Sequence, residues 1–136
     1  ALSSAASDVY KRQLTGIPVE DLREDRIQIL KKFADGYQVT CVLKDSRTLI
    51  ADKANEICLN LTGNSAMAKA GSGDVLAGVI AGFMVQEKDT KKAARLGTYV
   101  HGLAGDLAKF EKGVYSVMAR DLIEYISKAL MKLEDE

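Results

Sequence analysis

The spacing of apolar positions changes along this chain, and each change marks an element. Pro18 fits a helix first turn, where a missing N–H costs nothing. Glu20, Asp21 and Glu24 favour the same end through the helix dipole. Ile27, Leu30, Phe33 and Ala34 then recur at helical spacing, with Lys31 and Lys32 near the end and Gly36 as the stop. Residues 39–43 are a short, mostly apolar run, as in a parallel strand buried on both faces. Helix followed by strand is one step of an α/β crossover. Residues 48–51 and 56–59 read as two further strands. Asp52-Lys53-Ala54-Asn55 supplies turn chemistry between them, which predicts a hairpin beside the main sheet.

Residues 60–73 form a glycine-containing loop. From Asp74 to about Gln86 the chain is apolar almost all round, so this helix is predicted to be buried. Gly78 and Gly82 lie on one side of it, with Ala77 and Ala81 alongside. A mid-helix glycine costs about 1 kcal/mol against alanine. A close approach of another element would offset that cost, so both are read as packing residues. Thr90 is the predicted N-cap of a helix running to about Glu111, with Ala93, Ala94, Gly97, Val100, His101, Ala104, Leu107 and Ala108 as its buried stripe. Ser116 is the predicted cap of a last helix, whose inner face is Leu122, Ile123, Ile126, Leu130 and Leu133. The order is α-β-(β-β)-loop-α-α-α.

With 136 residues, the chain has the length of one domain, and its hydrophobic content of 47% is enough for a core. Nineteen basic residues balance 19 acidic ones, and no long basic run occurs. Nucleic acid and acidic membrane surfaces are therefore not expected partners. The longest apolar stretch, residues 75–85, is shorter than a membrane span. Cys41 and Cys58 sit in strand-like apolar runs and read as core residues rather than metal ligands. A cytoplasmic location is expected. Residues 1–13 lack the charged start and apolar stretch of a signal peptide. They are read as a disordered or artefactual extension, which leaves residues 14–136 for the fold.

The chemistry concentrates in Gly71-Ser72-Gly73-Asp74. Glycines let the backbone approach a ligand closely. A helix start presents unpaired N–H groups and the positive end of the dipole. Together they make an anion site suited to phosphate. A carboxylate beside it could serve as the base in phosphoryl transfer to a hydroxyl. Asp74 is equally a good helix N-cap, and Gly-Ser-Gly is ordinary loop material. The spacing matches neither a Walker A loop nor a dinucleotide-binding glycine pattern.

The wider context is more specific. The block Asn60-Leu-Thr-Gly-Asn64-Ser-Ala-Met67-Ala-Lys-Ala-Gly71-Ser-Gly73-Asp74-Val-Leu-Ala-Gly78-Val-Ile-Ala-Gly82 resembles the signature of the ADP/ATP-dependent NAD(P)H-hydrate dehydratases. These belong to the ribokinase-like superfamily. Val42-Leu43-Lys44 with Arg47-Thr48, Tyr99-Val-His101-Gly-Leu-Ala-Gly105-Asp106, and Ala119-Arg-Asp121-Leu122-Ile123 fit the same resemblance. It implies an α/β fold: the C-terminal half of a ribokinase-like three-layer α/β/α domain, truncated at the N-terminus. The absent half would carry most contacts to the hydroxylated substrate.

As the resemblance implies, ADP or ATP phosphorylates the hydroxyl of NADHX or NADPHX, and magnesium bridges the nucleotide phosphates. Asp74 is then the base and touches substrate, and Gly71, Ser72 and Gly73 form the anion hole. Lys44, Asp45, Ser46, Arg47 and Thr48, with Gly73, contact the nucleotide. Asp45 stands where the family usually has glycine, and pointed inward it would repel phosphates. Lys44 reads equally well as a solvated lysine. Asn64 either binds substrate or shapes its turn. Lys69 reads as solvated, Met67 as packing, and His101 as a satisfied, partly buried histidine near the adenine. No metal ligand is assigned. The full-length protein is expected to be a homo-oligomer, a tetramer among the options. A small-molecule kinase of the hydroxymethylpyrimidine or hydroxyethylthiazole type, and an inactive dehydratase fragment, are the alternatives.

Overall fold

The computed structural model describes residue 16 and residues 25–134. The start predicted at Pro18 and the extension 1–13 lie outside the described residues. Helix α1 spans Arg26–Tyr37, and Asp25 caps it by accepting from the Gln28 N–H at 3.3 Å. It does not stop at Gly36 as predicted. Gln38 takes the left-handed conformation (φ 55°, ψ 42°), and its N–H closes the helix on Ala34 O and Asp35 O. Its side-chain Nε2 also donates to Asp35 O at 2.7 Å, a local bond that helps hold a non-glycine residue there.

Three short strands follow: β1 (Cys41–Leu43), β2 (Leu49–Ala51) and β3 (Ile57–Leu59). They pair in chain order, and both pairings are antiparallel, with Cys41 opposite Ala51 and Ile50 opposite Cys58. The predicted β2–β3 hairpin is present. In its turn Asp52 Oδ1 accepts from the N–H groups of Ala54 (3.1 Å) and Glu56 (3.2 Å). The parallel reading of residues 39–43 is corrected. The short connection 44–48 permits a hairpin, whereas a parallel crossover needs a dozen residues or more. The double-faced burial expected of β1 belongs instead to the central strand, β2, whose three residues are all buried.

Alternation splits β2 between two layers. Leu49 and Ala51 cluster with Leu30 and Ala34 of α1. Ile50 faces the other way, toward helix α3, which also packs on β2. Helices α2 (Ser72–Gln86), α3 (Thr90–Lys112) and α4 (Ala119–Glu134) pack together on that side, and Val100, Ala104, Ala108, Leu122, Tyr125 and Ala129 fill their shared core. Helix, sheet and helix group give the expected α/β/α layering. No helix among the described residues is long and apolar enough to cross a membrane. Cys41 and Cys58 are half-buried free thiols rather than core residues; Cys41 packs against the α1–β2 cluster, and burial pushes its pKa up to about 11.

Three helix-terminal predictions shift. The α3 cap is Asp89, whose Oδ1 accepts from the Lys91 N–H at 2.9 Å; the Thr90 hydroxyl instead bonds the Thr40 hydroxyl at 2.9 Å. Ser116 is exposed and does not cap α4. Asp121 reaches back to accept from the Met118 N–H at 2.7 Å, and Lys112 pairs with it at 2.5 Å. Helix α2 begins at Ser72, before Asp74, with Gly71 as its N-cap.

The packing role given to Gly78 and Gly82 is also corrected. Both are exposed, and a Cβ added at either would meet nothing within 4 Å among the described residues. The close approaches are on α3. A Cβ at Gly97 would lie 2.7 Å from Ile80 Cγ1, at Gly102 2.1 Å from Thr62 Oγ1, and at Gly105 2.2 Å from Met67 Sδ.

Candidate functional site

Gly71 takes φ 85°, a region that favours glycine, and turns the chain into α2. Ser72 N–H donates to Lys69 O at 3.2 Å, and Val75 N–H to Gly71 O at 3.1 Å. Between them the Gly73 and Asp74 N–H groups, second and third of the helix, have no intrahelical acceptor. Asp74 therefore sits in the first turn of the helix, not at its cap. Its side chain is exposed. Ser72 is 1% exposed, and its Oγ has no hydrogen-bond partner among the described residues.

A cavity of about 460 Å³ opens beside this start. Lys44, Asp45, Ser46 and Thr48 line one side of it, Asn64 and the strap at residues 60–68 another, and Thr98, His101 and Gly102 of α3 the floor. So the structure brings together four of the five predicted nucleotide-turn residues with Asn64. Arg47 is exposed and off the cavity. Gly71, Ser72, Gly73 and Asp74 do not line it either, but His101 joins the two regions, its Nε2 lying 3.1 Å from Ser72 O.

His101 is 3% exposed. Burial, aided by the Lys44 charge, lowers its pKa to about 4, and the bond to Ser72 opposes that only in part. At neutral pH the ring is therefore uncharged. A carbonyl only accepts, so Nε2 carries the proton and donates it to Ser72 O. This is the satisfied, buried histidine that was expected.

The Asp45 carboxylate bonds Arg26 Nη1 at 2.6 Å and accepts from the Ser46 N–H at 2.7 Å. The charge that would repel phosphate is thus offset by a guanidinium from the first turn of α1. Asn64 shapes its turn. Its Oδ1 accepts from the Ala66 N–H at 2.9 Å, capping the 3₁₀ turn Ser65–Met67, and its Nδ2 donates to Asp106 Oδ1 at 2.7 Å. Met67 is buried against Gly63 and Gly105, as a packing residue. Lys69 is half-buried.

Sequence reasoning assigned no site role to Asn60, Thr62, Thr98 or Asp106. Asn60 Nδ2 donates to Thr62 O (3.1 Å) and Thr98 O (3.4 Å), and Thr62 Oγ1 donates to Tyr99 O (2.9 Å). For Asn60 and Thr62 the signal was present as small polar residues at alternate positions of Asn60-Leu-Thr62-Gly-Asn64, a pattern of side chains that bond nearby backbone; Thr98 and Asp106 lie on α3, outside that pattern. Among the described residues no group of three or more histidine, cysteine or acidic side chains could hold a metal ion.

The model of the family described as NAD(P)H-hydrate dehydratase matches residues 10–128. The chain is 43% identical over 124 residues to the bifunctional NAD(P)H-hydrate repair enzyme Nnr of Moorella thermoacetica, covering 91% of this chain and 23% of that protein. It is 34% identical over 122 residues to the ADP-dependent (S)-NAD(P)H-hydrate dehydratase of Bacillus subtilis, covering 90% and 44%. The crystal structure of the Bacillus subtilis ADP/ATP-dependent NAD(P)H-hydrate dehydratase co-crystallized with ATP/Mg2+ superposes with a TM-score of 0.87 at 32% identity, covering 92% of this chain and 45% of that one. The chain thus spans between about a quarter and under half of the relatives it matches.

Proposed function

The chain belongs to the NAD(P)H-hydrate dehydratase family, and on that premise we propose that the whole protein restores hydrated nicotinamide cofactors. ADP or ATP phosphorylates the hydroxyl of NADHX or NADPHX. Hydroxide is a poor leaving group, and phosphorylation makes it a good one. Loss of phosphate and a ring proton then returns the reduced dinucleotide.

The residues of this chain supply the nucleotide side of that reaction. Lys44, Ser46 and Thr48 line the cavity that takes the nucleotide, and Arg26 offsets the Asp45 charge beside it. Of the anion hole expected at Gly71, Ser72 and Gly73, the Ser72 N–H is bonded to Lys69 O; the Gly73 N–H, with that of Asp74, receives the transferring phosphoryl, where fixed donors stabilise charge without reorganising. Asp74 takes the substrate hydroxyl proton as the oxygen attacks phosphorus and the nucleotide leaves. In a loose transition state the proton moves late, so the placement of the carboxylate matters more than its basicity. Magnesium would neutralise nucleotide phosphate charge; the described residues offer no cluster for it, and no ligand to it is assigned here.

One observation carries the reading: the exposed Asp74 carboxylate stands on the same helix turn as two N–H groups without intrahelical acceptors, joined through His101 to the cavity. The same reading takes the whole protein as a homo-oligomer, with a tetramer among the options. The decisive experiment supplies NADHX, magnesium and either nucleotide to the full-length protein and follows NADH absorbance. Recovery of NADH is expected. Failure with both donors, together with phosphorylation of a pyrimidine or thiazole alcohol, would move the assignment to a small-molecule kinase.

A further inference from the structure

The strap at residues 60–68 is fastened to α3 along its length. Near Thr98 it is held by the bonds of Asn60 and Thr62. At Gly102 the two backbones lie too close for any side chain. At the far end stands Asp106, which has no assigned role. Its Oδ2 accepts from the Gly63 N–H at 2.9 Å, and its Oδ1 from Asn64 Nδ2 at 2.7 Å. Gly63 itself has φ 99°, so its peptide lies in an orientation that other residues rarely adopt. Asn64 passes the constraint on, because its oxygen is committed to the Ala66 N–H.

Both groups that Asp106 holds line the cavity, and Asp106 does not. An ionised carboxylate offers acceptors on two oxygens and no donor, which suits two N–H groups side by side. Bonds to a charged acceptor are also stronger than neutral ones. We propose that Asp106 is a positioning residue: it sets the wall that Gly63 and Asn64 present to the nucleotide, without touching the nucleotide. The proposal rests on reading the cavity as the nucleotide site.

The test uses the full-length protein, with ATP as the probe in calorimetry and amide hydrogen exchange at residues 63–66. In Asp106→Asn a carboxamide has one oxygen and cannot serve both donors. ATP affinity should fall about tenfold, and exchange at 63–66 should quicken. The reciprocal double variant N64D/D106N rebuilds the pair with donor and acceptor exchanged. Its carboxylate still serves the Ala66 N–H, and its amide oxygen serves the Gly63 N–H. Exchange at 63–66 should return to within a few-fold of the parent, which a general loss of fold stability would not allow; affinity is not the readout for the double variant, because its new carboxylate lines the cavity beside an anionic ligand. Unchanged affinity and exchange in Asp106→Asn, or exchange in the double variant no slower than in the single one, overturns the proposal. If the parent protein itself does not bind ATP, the nucleotide reading fails. Exchange at 63–66 then still decides whether Asp106 sets the strap.

Discussion

His101 donates from Nε2 to the carbonyl oxygen of Ser72 at 3.1 Å and so ties the floor of the cavity to the first residue of α2. Burial rather than this bond keeps the ring neutral, since a protonated ring would donate here as well. The folded pKa of about 4 lies below the ordinary 6.5. Below pH 6.5 the unfolded chain therefore takes up a proton that the folded chain refuses, and stability falls as pH drops toward 4. Above 6.5 this contribution is constant. His101→Gln keeps a neutral donor and removes the titration. In urea denaturation at pH 7 and pH 5, the parent should lose on the order of 2 kcal/mol more than the variant. Equal losses would mean that the ring is not held neutral.

Asp74 stands in the first turn of α2 but is not its cap, which is Gly71. The usual stability cost of removing a capping aspartate should therefore be absent. Asp74→Asn in the full-length protein should shift the melting temperature little. It should lower kcat by about 10²–10⁴-fold, the usual contribution of a positioned base. Nucleotide affinity should stay within a few-fold, because the backbone N–H groups remain. Retained kcat in this variant would remove the catalytic role.

Helix and strand positions were legible because apolar spacing is set by which face is covered. The β2–β3 hairpin could be read from Asp52 to Asn55, a local turn. The end of α1 could not be, since a side-chain bond from Gln38 did the work expected of Gly36. The glycines show the deeper limit. Gly78 and Gly97 look alike in sequence, yet only Gly97 meets a neighbour, and that neighbour is Ile80 on another helix. The site divides the same way. Gly71 to Asp74 are contiguous and were recognisable as a unit. Asp106 joins Asn64 from 42 positions away, and only the packing of the strap on α3 brings them together.

The two kinds of glycine respond oppositely to alanine. At Gly102 a Cβ would lie 2.7 Å from the Thr62 backbone carbon and 2.1 Å from its Oγ1. Backbone cannot yield as a flexible side chain can, so Gly102→Ala should destabilise this chain by about 1–3 kcal/mol. At Gly78 the added methyl meets nothing within 4 Å among the described residues, and the helix gains alanine's higher propensity. Gly78→Ala should stabilise it by about 0.5–1 kcal/mol. Denaturant midpoints of the two variants of the 136-residue chain should therefore move in opposite directions. A loss at Gly78 would show that its face is covered.

Asp45 lines the cavity, and its bond to Arg26 places a positive charge next to a negative one where phosphates are expected. Both side chains are partly exposed, at 31% and 46%, so the pair adds little to folding stability. Its expected effect is on ligand charge. Arg26→Gln leaves the carboxylate less compensated beside an anionic ligand. ATP binding should weaken by a few-fold at low ionic strength, while the melting temperature hardly changes. Salt at 1 M shortens the screening length to about 3 Å, so the difference between parent and variant should shrink there. Adding Asp45→Asn to Arg26→Gln removes the repelling charge and should recover the affinity. If the double variant binds ATP no better than Arg26→Gln, the guanidinium acts on the nucleotide directly rather than through Asp45.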